Sequence, residues 1–368
     1  MSIADDCCRI DELLVARARD YPRRVEPAWS DLLAAIDTFA ARLRDEVESA
    51  PATLPAFYER PIFVVGHRKT GTTLVQELLD GHAQLAVLPG ESNHFNTFLS
   101  QFGRMPERIP AEAQRWWLLR LVTPSGIPPF WALGKEPDSY AAFTARLLGL
   151  AAANPGRDVL GMAAVALVNG DRTAWVEKTP GHEHRVEQIL EAYPEARFVH
   201  VVRDPRSVAA AIVRLDRATG QRTDIVDVGL TIRRSFEAAR PGERYLVVRY
   251  EDLVGEPQVV MRRVAGFAGI DWSESLLTPT VGGMPATSNS AWAARKVTGE
   301  IEGRRLDLWR GELDEHATGL IAAATRGAAG RYGYELPRPG LRESTEVAIR
   351  RLRASRGRLF PPARARTS

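Results

Sequence analysis

Two hydrophobic periods alternate along this chain. Near the start, apolar residues recur at helical spacing: Leu13, Leu14 and Ala18, then Leu32, Leu33, Ile36, Phe39 and Leu43. Pro51 and Pro55 close that region. The run Ile62-Phe63-Val64-Val65 then predicts a buried strand. A helical stretch follows, with Leu74, Val75, Leu78 and Leu79 on one face and a stop at Gly81. Further strands are expected at Leu85–Leu88, in a short apolar stretch ending at Lys178, and at Phe198–Val202 and Tyr245–Val248. Thr179-Pro180 reads as an N-cap and first helical residue, opening a helix through Val186, Ile189 and Leu190. Strands alternating with helices predict an α/β fold, a mostly parallel sheet flanked by helices on both faces. Ligands belong at the carboxyl ends of such strands. The expected organisation is a helical N-terminal extension over 1–58, one main domain over 59–336 and a basic, flexible tail over 337–368. Pro337-Arg338-Pro339-Gly340 marks the end of the ordered domain.

Composition narrows the class. With 368 residues, 45% hydrophobic and 26% charged, the chain can bury one large core. No apolar run reaches the ~18 residues of a membrane span. The acidic start, Met1 to Asp6, lacks the regions of a signal peptide. Adjacent Cys7 and Cys8 have neither disulfide nor metal-ligand spacing. A cytoplasmic location is expected. The net charge of +3 hides an asymmetry: seven arginines and no acid lie between Val347 and Ser368, so the remaining chain is mildly acidic. Such a tail reads as a solvated extension. An anionic lipid surface or nucleic acid is the sharper reading, but the tail lacks interleaved aromatics, and no nucleic-acid partner is expected.

The segment from Pro61 to Leu74 carries the most chemistry. Strand, Gly-x-x-x-x-Gly turn and helix form a phosphate-cradling unit. A triphosphate loop ends Gly-Lys-Ser/Thr. Here Thr72 follows Gly71, and the lysine sits two residues before that glycine, at Lys69. The loop keeps backbone donors, hydroxyls and a cation but loses the lysine that reaches a γ-phosphate. A 5′-phosphosulfate suits it better than ATP.

This loop resembles that of sulfotransferases using 3′-phosphoadenosine 5′-phosphosulfate (PAPS), closest to the branch that includes tyrosylprotein sulfotransferases. Arg197 to Ala209, containing Val-Val-Arg-Asp-Pro-Arg-Ser, resembles the family's 3′-phosphate element. Trp175-Val176-Glu177-Lys178-Thr179-Pro180 and Arg249-Tyr250-Glu251-Asp252-Leu253 resemble motifs of bacterial members. The likeness spans roughly 59–336 and implies a P-loop-type sulfotransferase domain. It implies that Arg68, Lys69, Thr70, Gly71, Thr72 and Thr73 surround the 5′-phosphosulfate, with Lys69 as the leaving-group cation. Lys178 would contact the sulfuryl group. Glu91, after Pro89-Gly90, resembles the family's carboxylate base. His182 is the rival base or a positioning group. Arg203 is the expected 3′-phosphate ligand. The serine that the family places eight residues later is Ala211 here, and Ser207 or Arg214 is the expected substitute. Tyr250 is expected near the adenine or as a core tyrosine. Ser290, in Thr287-Ser288-Asn289-Ser290, and a cation from Arg295-Lys296 or Gly303-Arg304-Arg305 complete the implied site.

The resulting expectation is sulfuryl transfer from PAPS to a hydroxyl on a small molecule, lipid or glycan, without a metal. Nine aromatics between 92 and 143 read as helix core faces, with a minority lining an acceptor pocket. A P-loop kinase would need the displaced lysine and a strand-end aspartate for Mg²⁺, for which Asp204 is the candidate. A non-catalytic nucleotide-binding protein is the other alternative, motivated by Ala211. Retention of Lys69, Glu91 and Lys178 argues against it. Acceptor identity and oligomeric state are open at this level.

Overall fold

The computed structural model describes residues 9–17 and 143–150 in part, and 28–42, 53–96, 151–287, 298–301 and 306–359, of which 40, 42 and 354–359 are described by their backbone alone. In chain order the helices are α1 (Ser30–Arg42), α2 (Thr72–Leu79), α3 (Val159–Leu167), α4 (Val186–Ala192), α5 (Pro205–Ala218), α6 (Ile225–Ala238), α7 (Tyr250–Gly255), α8 (Pro257–Ala268), α9 (Glu315–Gly330) and α10 (Leu341–Leu359). The sheet strands are β1 (Pro61–Val65), β2 (Leu85–Val87), β3 (Ala174–Lys178), β4 (Arg197–Val202) and β5 (Tyr245–Arg249). They run in the order β2-β3-β1-β4-β5, every neighbour parallel. Among the described residues no helix is long and apolar enough to cross a membrane.

Strand alternation builds two cores. Phe63 and Val65 of β1, Trp175 of β3 and Phe198 of β4 face one side. There they meet α3 and the buried Leu32, Ile36 and Phe39 of α1. Ile62, Val64, Val176, Val199 and Val201 face the other, against Val75, Leu78 and Leu79 of α2 and Val260, Met261 and Val264 of α8. Register sets the aromatic contacts: Phe63 pairs with Phe198 and Phe198 with Tyr245, and both ring pairs stack, at 5.8 and 5.5 Å. Central parallel strands buried on both faces need unbroken apolar runs. These are the runs the sequence displays.

Two expectations change. The helix foreseen at Pro180 begins instead at Val186, after a 3-10 turn over His182–His184. Gly181 has φ of 97°, a left-handed conformation that interrupts any helix there. Thr179 is not a cap, because its hydroxyl donates to Glu177 at 2.5 Å. The second change concerns the segment after Gly340, foreseen as flexible, which opens with the 19-residue α10. Glu343, Val347 and Arg350 share one helical face. Val347 is buried among Val226, Leu320 and Ala324. His316 Nδ1 lies 2.7 Å from Glu343 Oε1, and Arg350 Nε donates to Asp227 at 2.7 Å, with Asp224 a further partner.

Candidate active site

Among the described residues, five site segments leave the sheet at the carboxyl ends of its strands. β1 runs into the loop from Gly66 to Gly71, β2 into Pro89-Gly90-Glu91, β3 into Thr179-Pro180, β4 into Arg203 and β5 into Tyr250. The phosphate loop is held open by backbone conformation. Gly66 has φ of 138°, and a Cβ there would lie 2.5 Å from the Val201 carbonyl. Gly71 has φ of 106°, and a Cβ would meet the Tyr250 ring at 2.3 Å. Lys69 itself adopts φ of 71°, rare for a side-chain-bearing residue. Thr70 turns its hydroxyl inward to the His67 carbonyl at 2.7 Å, so it shapes the loop. Gly71 caps α2 without a side-chain bond, leaving the first amides of the helix, at Thr72 and Thr73, to face a ligand.

Cations gather around this loop. Burial lowers the pKa of Lys69, and the nearby charges of Arg68 and Lys178 push the same way, only partly offset by Glu91. Lys178 is almost fully buried and donates to Glu91 Oε1 at 2.8 Å, while Glu91 is 44% exposed. The carboxylate is therefore held by one lysine and still open to an incoming molecule. Arg68 is half-exposed and lies 3.9 Å from Asp216.

Two buried residues that the sequence reading did not single out fix the Glu91 turn. Gln76 of α2 donates to the carbonyls of Leu88 and Gly90 at 2.6 and 3.0 Å. Glu177 accepts from the Ser92 hydroxyl at 2.6 Å and from Thr179 at 2.5 Å, and its other oxygen lies 3.1 Å from His182 Nδ1. Burial alone would raise the Glu177 pKa, but His182, Ser92 and Thr179 hold it below the usual value. The Asn93 amide donates to Thr179, closing the network. No local pattern advertises these roles; a polar residue at an inward position, such as Gln76 between Val75 and Leu78, is the one available signal.

His182 lies in the core beneath the cleft. Its ring is fully buried, packed edge-on to Phe63 and Phe95, and Nε2 has no partner among the described residues. It lies against Glu177 within the core, a placement that suits the positioning role better than the rival-base role. Glu77, one turn into α2, was also not foreseen. Burial raises its pKa to about 7, against the pull of Lys178.

At the β4 end, the Arg203 guanidinium lies 4.2 Å over the Tyr250 ring, and Nη1 points at the Lys69 carbonyl, 3.4 Å away. Its Nε is buried without a partner among the described residues. An arginine held on a ring, with donors still to satisfy, fits an anionic ligand. Ser207 donates to the Leu306 carbonyl at 2.9 Å. It thereby anchors the segment following Arg304 and Arg305 beside α5. Arg214, the other substitute foreseen, pairs with Glu312 at 3.0 Å, and Ala211 is buried. Asp204 caps α5 and grips the Arg206 guanidinium at 2.6 Å, an engagement that disfavours it as a Mg²⁺ ligand. Ser290, Arg295, Lys296, Gly303, Arg304 and Arg305 lie outside the described residues.

Between loop and β3 turn lies a cleft of about 610 Å³, lined among the described residues by His67, Arg68, Glu91, Gly181, His184 and Arg234. Its floor is rigid. Glu183 accepts from the Gly66 and Gly181 amides at 3.2 and 2.7 Å and from Ser235 at 2.6 Å. The arrangement can bind a phosphate-like group at the loop and present a carboxylate to a neutral acceptor.

Comparison with known proteins agrees with this arrangement. A sequence model described as the sulfotransferase family matches residues 61–274, more than half of the chain. The omega-hydroxy-beta-dihydromenaquinone-9 sulfotransferase Stf3 of Mycobacterium bovis is 27% identical over 252 residues, 57% of this chain. The match spans 63% of the length of that relative. Among solved structures, the sulfotransferase domain of the Synechococcus PCC 7002 olefin synthase aligns with a TM-score of 0.50 and 21% identity. It covers 75% of this chain and 96% of its own. The sulfotransferase domain from the curacin biosynthetic pathway gives 0.51 and 19%, over 77% and 99% of the two chains. At these identities the structures speak for the fold, and the sequence match over the loop and strand-end motifs speaks for descent: the chain belongs to the sulfotransferase family.

Proposed function

We propose that this protein transfers a sulfuryl group from PAPS to a hydroxyl on a small molecule, lipid or glycan. The observation that carries the reading is the Glu91–Lys178 pair, at 2.8 Å, beside a phosphate loop whose own lysine is Lys69. The amides opening α2 and the loop cations hold the 5′-phosphosulfate. Arg203, backed by Tyr250, takes the 3′-phosphate, and a cation from the segment preceding Leu306 assists. In the transfer, the bond between sulfur and the bridging phosphate oxygen breaks as the acceptor oxygen bonds to sulfur. Glu91 accepts the acceptor proton, and Lys69 and Lys178 offset the charge growing on the leaving phosphate. The products are the sulfate ester and 3′-phosphoadenosine 5′-phosphate.

The named activity of the mycobacterial relative, on a hydroxylated dihydromenaquinone, puts hydroxylated isoprenoid lipids first among acceptors to try. The test is incubation with PAPS and a panel of hydroxylated lipids, sugars, phenols and peptides, read by mass spectrometry. The expected result is an acceptor heavier by one SO₃, formed equally well with chelator present. Phosphorylated product from Mg·ATP, with none from PAPS, would overturn the reading.

A further inference from the structure

Among the described residues, the outward side of α10 is used by neither the core nor the site. Its inward side is spent on Glu343, Val347 and Arg350. At 3.6 residues per turn, Leu341, Ile349 and Leu352 fall within about a quarter turn of each other on the opposite side. They are 86%, 44% and 64% exposed. Arg342 and Arg353 border this stripe on one flank and Arg351 on the other, all exposed. Four more arginines follow Arg353, with no acid after residue 346, and extend the positive charge against an acidic body. Single exposed apolar residues are ordinary on any protein. Three on one stripe, bordered by arginines, form an amphipathic surface facing away from the fold.

We propose that α10 docks this protein on an anionic lipid surface. Leu341, Ile349 and Leu352 would enter the boundary between headgroups and acyl chains while the arginines meet lipid phosphates. Such binding grows with apolar area and with charge together. Each arginine near an anionic bilayer strengthens it about fivefold. Nucleic acid is the poorer fit. Phosphates would take the arginines but leave the apolar stripe in water, and residues 341–359 contain no aromatic ring on which a base could stack. The inward side keeps α10 attached to α6 through Asp224 and Asp227, and α6 also supplies Arg234 to the cleft. A docked α10 therefore connects the lipid surface directly to an element that borders the site.

The test is flotation of the full chain with vesicles of phosphatidylcholine alone and of phosphatidylcholine mixed with phosphatidylglycerol. Binding to the anionic vesicles is expected to be at least tenfold stronger, roughly, and to weaken with salt. The triple variant Leu341→Ser, Ile349→Ser, Leu352→Ser should keep the parent melting temperature, because these side chains are exposed, yet lose about tenfold or more of vesicle affinity. Replacing Arg342, Arg351 and Arg353 by Gln should remove most of the salt-dependent part. Equal binding to both vesicle types, or to neither, overturns the proposal. So does a triple variant that binds like the parent, or an RNA duplex that displaces vesicles and binds the triple variant undiminished. A dimer that the triple variant dissociates would assign the stripe to a second copy of the chain instead.

Discussion

In the proposed reaction, Glu91 and Lys178 divide one task between an exposed carboxylate base and a buried lysine. The lysine cannot move far, being almost fully buried at the end of β3, whereas the carboxylate has solvent on its other side. Glu91→Gln keeps the size and the bond to Lys178 but removes the proton acceptor. Turnover is expected to fall by ~10²–10⁴-fold while affinity for 3′-phosphoadenosine 5′-phosphate barely changes, as stopped assays and calorimetry would read. His182→Asn should behave oppositely. It takes a partner from the buried Glu177 carboxylate, so a stability loss of about 1–3 kcal/mol is expected, with turnover retained below the melting transition. A folded but inactive His182→Asn enzyme beside an active Glu91→Gln enzyme would move the base to the histidine. Lys69, Glu91 and Lys178 could be singled out in the sequence because their setting is local, a cation in a glycine loop and an acid after a strand end, and the structure brings Glu91 and Lys178 into contact. Glu177 and Gln76 were not singled out, since what they hold lies on other elements, and the two roles open to His182 could not be separated until the fold placed it against Glu177.

The five sheet strands were legible as short apolar stretches, rich in β-branched and aromatic residues, set between turn signals. The start of α4 was misjudged because Thr179 has two possible partners, the backbone ahead or Glu177 behind, and only the fold chooses. Within α2 a pH dependence follows from burial. Glu77 has its pKa raised to about 7, so between the unfolded value near 4.5 and 7 the folded state binds more protons than the unfolded. The stability this contributes is present below the unfolded value and is lost as pH rises through about 7. Glu77→Gln should therefore raise the melting temperature at about pH 8 and leave it unchanged at about pH 4 or below, the difference being on the order of 1–3 kcal/mol. An equal shift at both pH values would show that the effect is packing and not ionisation.

At the scale of the molecule, the carboxyl ends of the strands gather five loops around the candidate site, and α10 packs against α6 and α9. Charge counting hid α10, because a run of arginines resembles a solvated tail until the spacing of Glu343, Val347 and Arg350 is weighed. Ending the chain at Leu359 should leave thermal unfolding unchanged. Ending it at Gly340 uncovers Val226, Leu320 and Ala324 and should lower the melting temperature by about 3–8 °C without abolishing nucleotide binding. An unaltered melting curve for the shorter chain would mean that α10 does not stay docked. The central claim is that the loop and Arg203 together select a 3′-phosphorylated donor. Calorimetric titration of 3′-phosphoadenosine 5′-phosphate against ADP and Mg·ATP, on the parent and on Arg203→Leu, tests it most directly. The account predicts that the parent binds 3′-phosphoadenosine 5′-phosphate at least tenfold more tightly, roughly, and that Arg203→Leu erases most of that preference. Mg·ATP as the preferred ligand of the parent, or a preference that survives Arg203→Leu intact, would contradict it.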